Sequence, residues 1–275
     1  MAAKVMGVVN VTPDSFSDGG LFLDPEQAIS HGRELAAEGA DILDVGGEST
    51  RPGARAVSAA TELERTRPVV EALTTAGGPA VSIDTSKAEV ARAALDSGAA
   101  IVNDVTALRA DPDLCALCAE RDCGLVLMHM LGNPRTMQRN PTYDDVVDEV
   151  RAFLAERIEV AVAAGVAEER IWVDPGIGFG KTIEHNLVLL RRLGELRELG
   201  RPIVIGTSRK SFLGALTGRA VDARLGASVA SNVLALAAGA EVFRVHEVLA
   251  ARRALDVAET IVGRQKWRRR GAATA

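Results

Sequence analysis

The chain is poor in cysteine and in aromatic residues: three Cys, six Phe, two Trp and one Tyr stand among 275 residues. So few cysteines exclude a disulfide scaffold. Cys115 and Cys118 have the C-x-x-C spacing, but no second pair completes a zinc site. Both share an apolar helical pattern with Leu114 and Leu117, which marks them as packing residues. The odd cysteine count, behind an N-terminus (Met1-Ala2-Ala3-Lys4) that runs straight into a strand with no room for a signal peptide, is expected of the reducing cytoplasm. With 3% aromatics and a net charge of -5, the chain has neither the basic surface nor the stacking rings of a nucleic-acid partner, nor the charge for an anionic membrane. No apolar run approaches the roughly 20 residues of a membrane span. No Pro/Ser linker or shift of composition divides the chain, so 1–275 reads as one domain. Its basic end, 264–275, is expected to fray.

What the chain does have is repetition, on a composition 47% apolar and able to bury a sizeable core. Apolar, β-branched runs fall at 5–9, 42–45, 80–83, 101–102, 125–127, 171–173, 203–205 and 242–245, and a helical pattern follows each. Unbroken βα repetition means parallel strands joined by crossover helices. Eight such units in about 250 residues predict a single-domain (β/α)8 TIM barrel. An open doubly wound sheet fits less well, since no Gly fingerprint follows the first strand. Helices are expected over 25–37, with Asp24 as N-cap and Pro25 at the first helical position, and over 144–164.

The stretch Ile171-Trp172-Val173-Asp174-Pro175-Gly176-Ile177-Gly178-Phe179-Gly180-Lys181 holds one carboxylate where a buried strand gives way to a Gly-rich loop. A dinucleotide fingerprint would need Gly at Lys181, and a Walker loop would need Gly at Pro175, so neither nucleotide motif is present. The helical pattern beyond it is Ile183, Leu187, Leu190, Leu193 and Leu196. Other strand ends also turn polar: Asn10, then Glu48 to Arg51, Asp84, Asn103 and Asp104, Met128 and His129, Ser208 to Lys210, and Arg244 with His246. A barrel gathers its chemistry at those ends. Asp84, Asn103, Asp174 and Lys210 offer the acceptors and donors that suit a flat, hydrogen-bonding heterocycle. Asn10, Thr50, Arg51, Arg244 and His246 suit a phosphate group, with Arg244 and His246 two residues apart and so on one face of a strand. Ser208-Arg209-Lys210 opens a helix, whose N-terminus attracts an anion such as a carboxylate. The loops 10–20 and 46–54, rich in Gly, Ser and Pro, are expected to be exposed and mobile.

Seven of these segments, in order, resemble bacterial dihydropteroate synthase: 6–20, 46–53, 82–85, 103–105, 174–181, 208–214 and 244–246. The resemblance runs from residue 4 to about residue 262. It implies a pterin-binding barrel that joins 7,8-dihydropterin-CH2-diphosphate to 4-aminobenzoate and releases diphosphate, with Mg²⁺ as cofactor and a homodimer as the assembly. It implies that Asp84, Asn103, Asp174 and Lys210 hold the pterin, with Met128 and Phe179 lining its pocket. Thr50, Arg244 and His246 would hold the diphosphate and Asn10 the Mg²⁺. Phe16, Arg51, Pro52, Phe179 and Ser208 would shape the aminobenzoate site, with Lys210, Asp84 and Arg51 carrying catalysis. One departure is visible: Thr106-Ala107-Leu108 follows Asn103-Asp104-Val105, where the family usually shows Ser-Gly. A pterin-binding methyltransferase would have no use for the anion-binding pair, and a non-catalytic paralogue should have lost loop residues or Lys210. Departure of diphosphate ahead of amine attack is the expected chemistry, without a covalent enzyme intermediate, since no activated Ser or Cys is evident.

Overall fold

Each of the eight apolar runs forms a strand in the computed structural model, which describes residues 2–12, 25–74 and 77–264. The strands are β1 (Lys4–Asn10), β2 (Ile42–Gly46), β3 (Ala80–Asp84), β4 (Ile101–Asp104), β5 (Gly124–Met128), β6 (Ile171–Asp174), β7 (Val204–Ile205) and β8 (Val242–Val245). Helices α1 (Pro25–Ala37), α2 (Ala59–Leu73), α3 (Ala88–Asp96), α4 (Asp113–Glu120), α5 (Val146–Ala163) and α6 (Ile183–Arg191) follow the first six strands. The short α7 (Ser211–Thr217) and then α8 (Leu225–Ala238) follow β7, and α9 (Val248–Ile261) follows β8. All pairings are parallel, in the order β6-β5-β4-β3-β2-β1-β8-β7. The ring closes between β6 and β7 through a bridge from Val173 to Ile203, with the Val173 N–H donating to the Pro202 carbonyl at 3.0 Å. This is the (β/α)8 barrel.

Alternation along the strands builds both the core and the site. One set of residues faces the helices and joins the main apolar core, as Val5, Val9, Leu43, Val45, Val81, Ile83 and Val102 do. The other set faces the barrel axis. Met6, Ile42, Ile101, Val126, Val204 and Val242 form a separate apolar plug there, flanked by Ala80 and Trp172. Two residues further along each strand, the axis-facing position turns polar on β2 (Asp44), β3 (Ser82), β4 (Asn103), β6 (Asp174) and β8 (Arg244). The plug therefore seals one end of the barrel and leaves the carboxyl ends of the strands for chemistry.

Helix details refine the expectations. The α5 helix starts at Val146 because the Asp145 side chain accepts hydrogen bonds from the Val147 and Asp148 amides. In α6 the buried positions are Asn186 and Leu189, while Ile183 is exposed, so the inward face is offset from the expected pattern. Cys115, Cys118 and Cys123 are unpaired and buried, as packing residues should be. Asp24, most of the first loop and the basic tail 265–275 lie outside the described residues.

Candidate active site

Strand register sets the sequence-predicted residues side by side. Asn10 pairs laterally with Gly46, Gly46 with Asp84, and Asp84 with Asn103; further round, Met128 pairs with Asp174. A single cleft of about 530 Å³ opens over this row. It is lined by Asn10, Thr50, Arg51, Pro52, Asp84, Asn103, Met128, Asp174, Phe179, Ser208, Lys210, Arg244 and His246. Every expected site residue is there except Phe16, which lies outside the described residues. His129 and Asp104 do not line the cleft. They stand one residue past Met128 and Asn103, so the pleat turns them outward. His129 packs edge-on against Phe153 at 4.9 Å, and Asp104 serves its own loop.

The expected division into a heterocycle set and a phosphate set is crossed by one ion network. The Arg244 guanidinium donates through Nε to Asp44 at 2.6 Å and through an Nη to Asp84 at 2.8 Å. Asp44 also accepts from the Asn103 amide at 3.1 Å. Its second oxygen is buried with no partner among the described residues. Burial pushes Asp84 up to about 8, against the pull of Arg244 and with Asp44 adding to the push. Burial also works against the charge on Arg244, yet the two carboxylates hold its pKa above the usual arginine value. Across the cleft, Asp174 accepts from the Gly176 amide at 2.7 Å, and burial raises its carboxyl against Lys210. Lys210 bonds the Ile177 carbonyl and lies 4.7 Å from the centre of the Phe179 ring. Burial brings its ammonium down to about 8, with Asp174 opposing.

The other wall is held by the ends of β7 and β8. Ser208 Oγ sits 2.9 Å from His246 Nδ1 and 3.3 Å from Glu247, which also takes the Arg209 guanidinium. Burial, then Arg209 and Arg244, push His246 down to about 3, so the imidazole is neutral at pH 7. The pair Arg244 and His246 therefore brings one positive charge to the cleft rather than two.

The Gly-rich loop 175–181 is pinned from several sides. Gln138 and Tyr143, in the loop before α5, donate to the carbonyls of Gly178 and Gly180. Asn186 accepts from the Gly178 amide. The buried Lys181 donates to the Phe179 carbonyl and meets His129 Nδ1 at 2.8 Å. Gly176, Gly178 and Gly180 all have left-handed φ. The loop 46–54 is less exposed than its composition suggests. Gly46 and Gly47 are buried, residues 48–51 are half-buried, and only Pro52 and Gly53 stand out at the tip.

Several cleft or supporting residues were not among the expected ones. Met137, Gln138 and Arg224 line the cleft from loops whose sequence carries no strand-end signal. Asp44 did leave a trace: an acid inside the apolar run Ile42-Leu43-Asp44-Val45 has to find a cation inside the barrel.

A (β/α)8 barrel with a deep cleft at its strand ends, floored by carboxylates, an amide and a lysine, defines an enzyme for a flat polar ring and an anion. The family model of pterin binding enzymes matches residues 6–246. The chain is 51% identical over 261 residues to the dihydropteroate synthase of Mycobacterium leprae, covering 92% of each chain. It superposes on the Yersinia pestis dihydropteroate synthase, solved as a sulfonamide drug complex, with TM-score 0.92, 42% identity and 95% of each chain covered. For the Xanthomonas albilineans dihydropteroate synthase, solved with 4-aminobenzoic acid, the TM-score is 0.88 and the identity 49%, over 94% of this chain and 93% of that one. The chain belongs to the dihydropteroate synthases, transferases of folate synthesis.

Proposed function

We propose that this enzyme joins (7,8-dihydropterin-6-yl)methyl diphosphate to 4-aminobenzoate, giving 7,8-dihydropteroate and diphosphate. The C–O bond to diphosphate breaks first, the aryl amine then attacks the methylene carbon, and the amine proton leaves with water or diphosphate. The observation that carries this reading is the lining of one cleft by Asp84, Asn103, Asp174 and Lys210 together with Arg244, His246 and Thr50.

In this reading Asp174 and Asn103 take the amino-pyrimidinone edge of the pterin. Lys210 and Asp84 bond the rest of the ring, and Met128 and Phe179 line its pocket. Thr50, Arg244 and the neutral His246 donate to the diphosphate, and Arg51, Pro52, Ser208 and Phe179 border the aminobenzoate. Charged hydrogen bonds of this kind are each worth about 1.5–3 kcal/mol. Lys210, Asp84 and Arg51 contribute catalysis by charge stabilisation and orientation, not as nucleophiles. The 4-aminobenzoic acid of the Xanthomonas relative supports the aminobenzoate half.

Asn10 suits a Mg²⁺ that arrives with the diphosphate. Gly46 beside it has no side chain, and a Cβ there would stand 3.9 Å from Asn10 Oδ1 and 3.7 Å from Asp84 Oδ2, so an oxygen-lined hollow is left open. Among the described residues no cluster of three His, Cys, Asp or Glu could cage a metal. Mg²⁺ keeps several waters and leans on substrate phosphates rather than on an all-protein cage, so a single protein oxygen beside them is enough to place it. When bound, the ion would offset the charge of the leaving diphosphate.

The reading extends to a cytoplasmic homodimer. Leu234 on α8 and Val257 and Ile261 on the neighbouring α9 are exposed apolar side chains, which a second copy could cover. Light scattering on the purified chain tests that assembly. For the activity, both substrates are mixed with enzyme and dihydropteroate is followed by mass, with Mg²⁺ and with a chelator. Formation of dihydropteroate that stops on chelation is expected. No product in Mg²⁺ would overturn the reading.

A further inference from the structure

Lys87 follows β3 by three residues and does not touch the cleft. Its ammonium bonds Glu48 on the loop after β2 and also Glu62 on α2, at 2.5 Å. Glu62 is fully buried, and its other oxygen has no partner among the described residues. Glu48 lines the cleft. The same loop is held by Arg65, which donates to the Gly47 carbonyl at 2.8 Å. A Cβ on Gly47 would stand 2.7 Å from Thr66 Cγ2, so the loop base lies flat on α2. The tip has its own anchor, with the Gly53 amide donating to the Pro134 carbonyl at 3.1 Å. Between base and tip run Thr50, Arg51 and Pro52.

We propose that Lys87 is the positioning residue of the β2–α2 loop: it pins Glu48 to α2, so that Thr50, Arg51 and Pro52 are presented to the diphosphate and aminobenzoate. Lys87 also neutralises a carboxylate that would otherwise face an anionic ligand. Two carboxylates share one lysine here, so removing the lysine frees Glu48 toward the cleft, the direction open to solvent, while Glu62 stays buried. The loop then loses the tie from Glu48 to α2, keeps Arg65 on Gly47, and shifts between that point and its tip. The ring-binding residues on β3, β4 and β6 are untouched, and the defect should fall on the second substrate. This inference rests on the reaction proposed above for its kinetic arm, and a second arm is independent of it.

The test compares the wild type with Lys87→Met and with Lys87→Met/Glu62→Leu. The double variant removes the buried carboxylate that the single variant strands, and so separates folding from positioning. Trypsin cleavage after the exposed Arg55 reads the loop directly, whatever the activity. In both variants, cleavage at Arg55 should accelerate at least tenfold. The aminobenzoate KM should rise at least tenfold and kcat should fall. Affinity for bare pterin should stay within about threefold of wild type. Lys87→Arg should restore most of the KM. If the double variant shows wild-type cleavage and a wild-type KM, Lys87 only offsets Glu62 and the proposal is overturned. If bare pterin is lost in step with aminobenzoate, the lysine supports the whole site and the proposal is likewise overturned. A wild type that makes no dihydropteroate overturns the reaction, while the cleavage rates still decide the anchoring of the loop.

Discussion

One guanidinium, that of Arg244 on β8, holds Asp84 on β3 at 2.8 Å and Asp44 on β2 at 2.6 Å. The residue proposed to meet the diphosphate is thus also the counter-ion of two buried acids. Without ligand, the trio carries one uncompensated negative charge when both acids are ionised. Burial relieves this by favouring a proton on Asp84.

Arg244→Ala should therefore damage fold and binding together. Removing one partner of a buried ion pair costs about 3–5 kcal/mol, because the remaining charge is stranded. The melting temperature should fall by roughly 2–4 °C per kcal/mol for a domain of this size. Affinity for the pterin diphosphate should fall further than that for bare pterin. Thermal melts and calorimetry with both ligands check this. An unchanged melting temperature would mean that Asp44 and Asp84 do not depend on Arg244.

His129 makes the fold sensitive to acid. Burial, with Lys181 beside it, pushes its imidazole down to about 2, whereas an unfolded histidine protonates near 6.5. Below pH 6.5 the unfolded chain therefore binds one more proton at this position. The stability that His129 contributes is full above 6.5 and drains away as pH falls toward 2, at about 1.4 kcal/mol per pH unit. Asp84 has the opposite sign. Raised to about 8 when folded, it binds a proton before the unfolded carboxyl does, and its contribution declines as pH rises from about 4 to about 8. His129→Gln keeps a neutral acceptor for Lys181 and should flatten the loss of stability between pH 6.5 and 4.5. Urea melts of both proteins across that range would show it. Parallel pH profiles would mean that native His129 already takes up the proton.

Much of this was legible because the barrel writes its register into the sequence. The period-2 alternation that marked the strands also decides which strand-end residues reach the axis: Asn103 does and Asp104 does not, Met128 does and His129 does not. What was illegible depends on pairings across the fold. Asp44 and Arg244 are 200 residues apart, and nothing local says that they meet. Lys87 gathers carboxylates from two other segments in the same way. Composition also misled at one loop. Gly46 and Gly47 look like flexible residues, but Gly47 is there so that the backbone can lie against α2. The departure Thr106-Ala107-Leu108 has a physical meaning too. Ala107 and Leu108 have φ of 51° and 65°, the region where glycine is at ease, so this chain takes a left-handed turn here without a glycine.

Asp104 holds that strained turn. Its carboxylate accepts from the Thr106 amide at 2.8 Å, the Thr106 hydroxyl at 2.7 Å and the Leu108 amide at 2.6 Å. Asp104→Ala leaves these donors unpaired in a buried loop, at about 1–3 kcal/mol for each that finds no water. The loop should relax and carry Asn103 and Val105 with it. The expected result is a loss of about 2–5 kcal/mol in denaturant unfolding and at least a tenfold loss of bare-pterin affinity. Wild-type pterin affinity in a destabilised variant would show that Asn103 is held by Asp44 alone.

Two glycines of the Gly-rich loop should separate fold from binding. Gly176 and Gly178 both have left-handed φ, 67° and 83°, so alanine at either costs about 1–2 kcal/mol in backbone strain. Their surroundings differ. A Cβ on Gly176 would stand 1.9 Å from the His129 carbonyl oxygen, which is backbone and cannot step aside. A Cβ on Gly178 would stand 3.3 Å from Lys210 Cδ, a side chain that can move. Gly176→Ala must therefore part β6 from the end of β5, where the His129 amide donates to the Asp174 backbone carbonyl at 2.9 Å, and overpacking adds about 1–3 kcal/mol to the strain. Gly178→Ala shifts the Lys210 stem by a few tenths of an ångström against the Phe179 ring, with little further cost to the fold. Gly176→Ala should thus lose at least twice as much melting temperature as Gly178→Ala. Gly178→Ala, still folded, should lose severalfold in bare-pterin affinity, because the shifted lysine meets the ring less well. Melting curves and calorimetry on the two variants decide it. Equal melting losses would mean that the loop moves as one body, and full pterin affinity in Gly178→Ala would take Lys210 out of the ring-binding set.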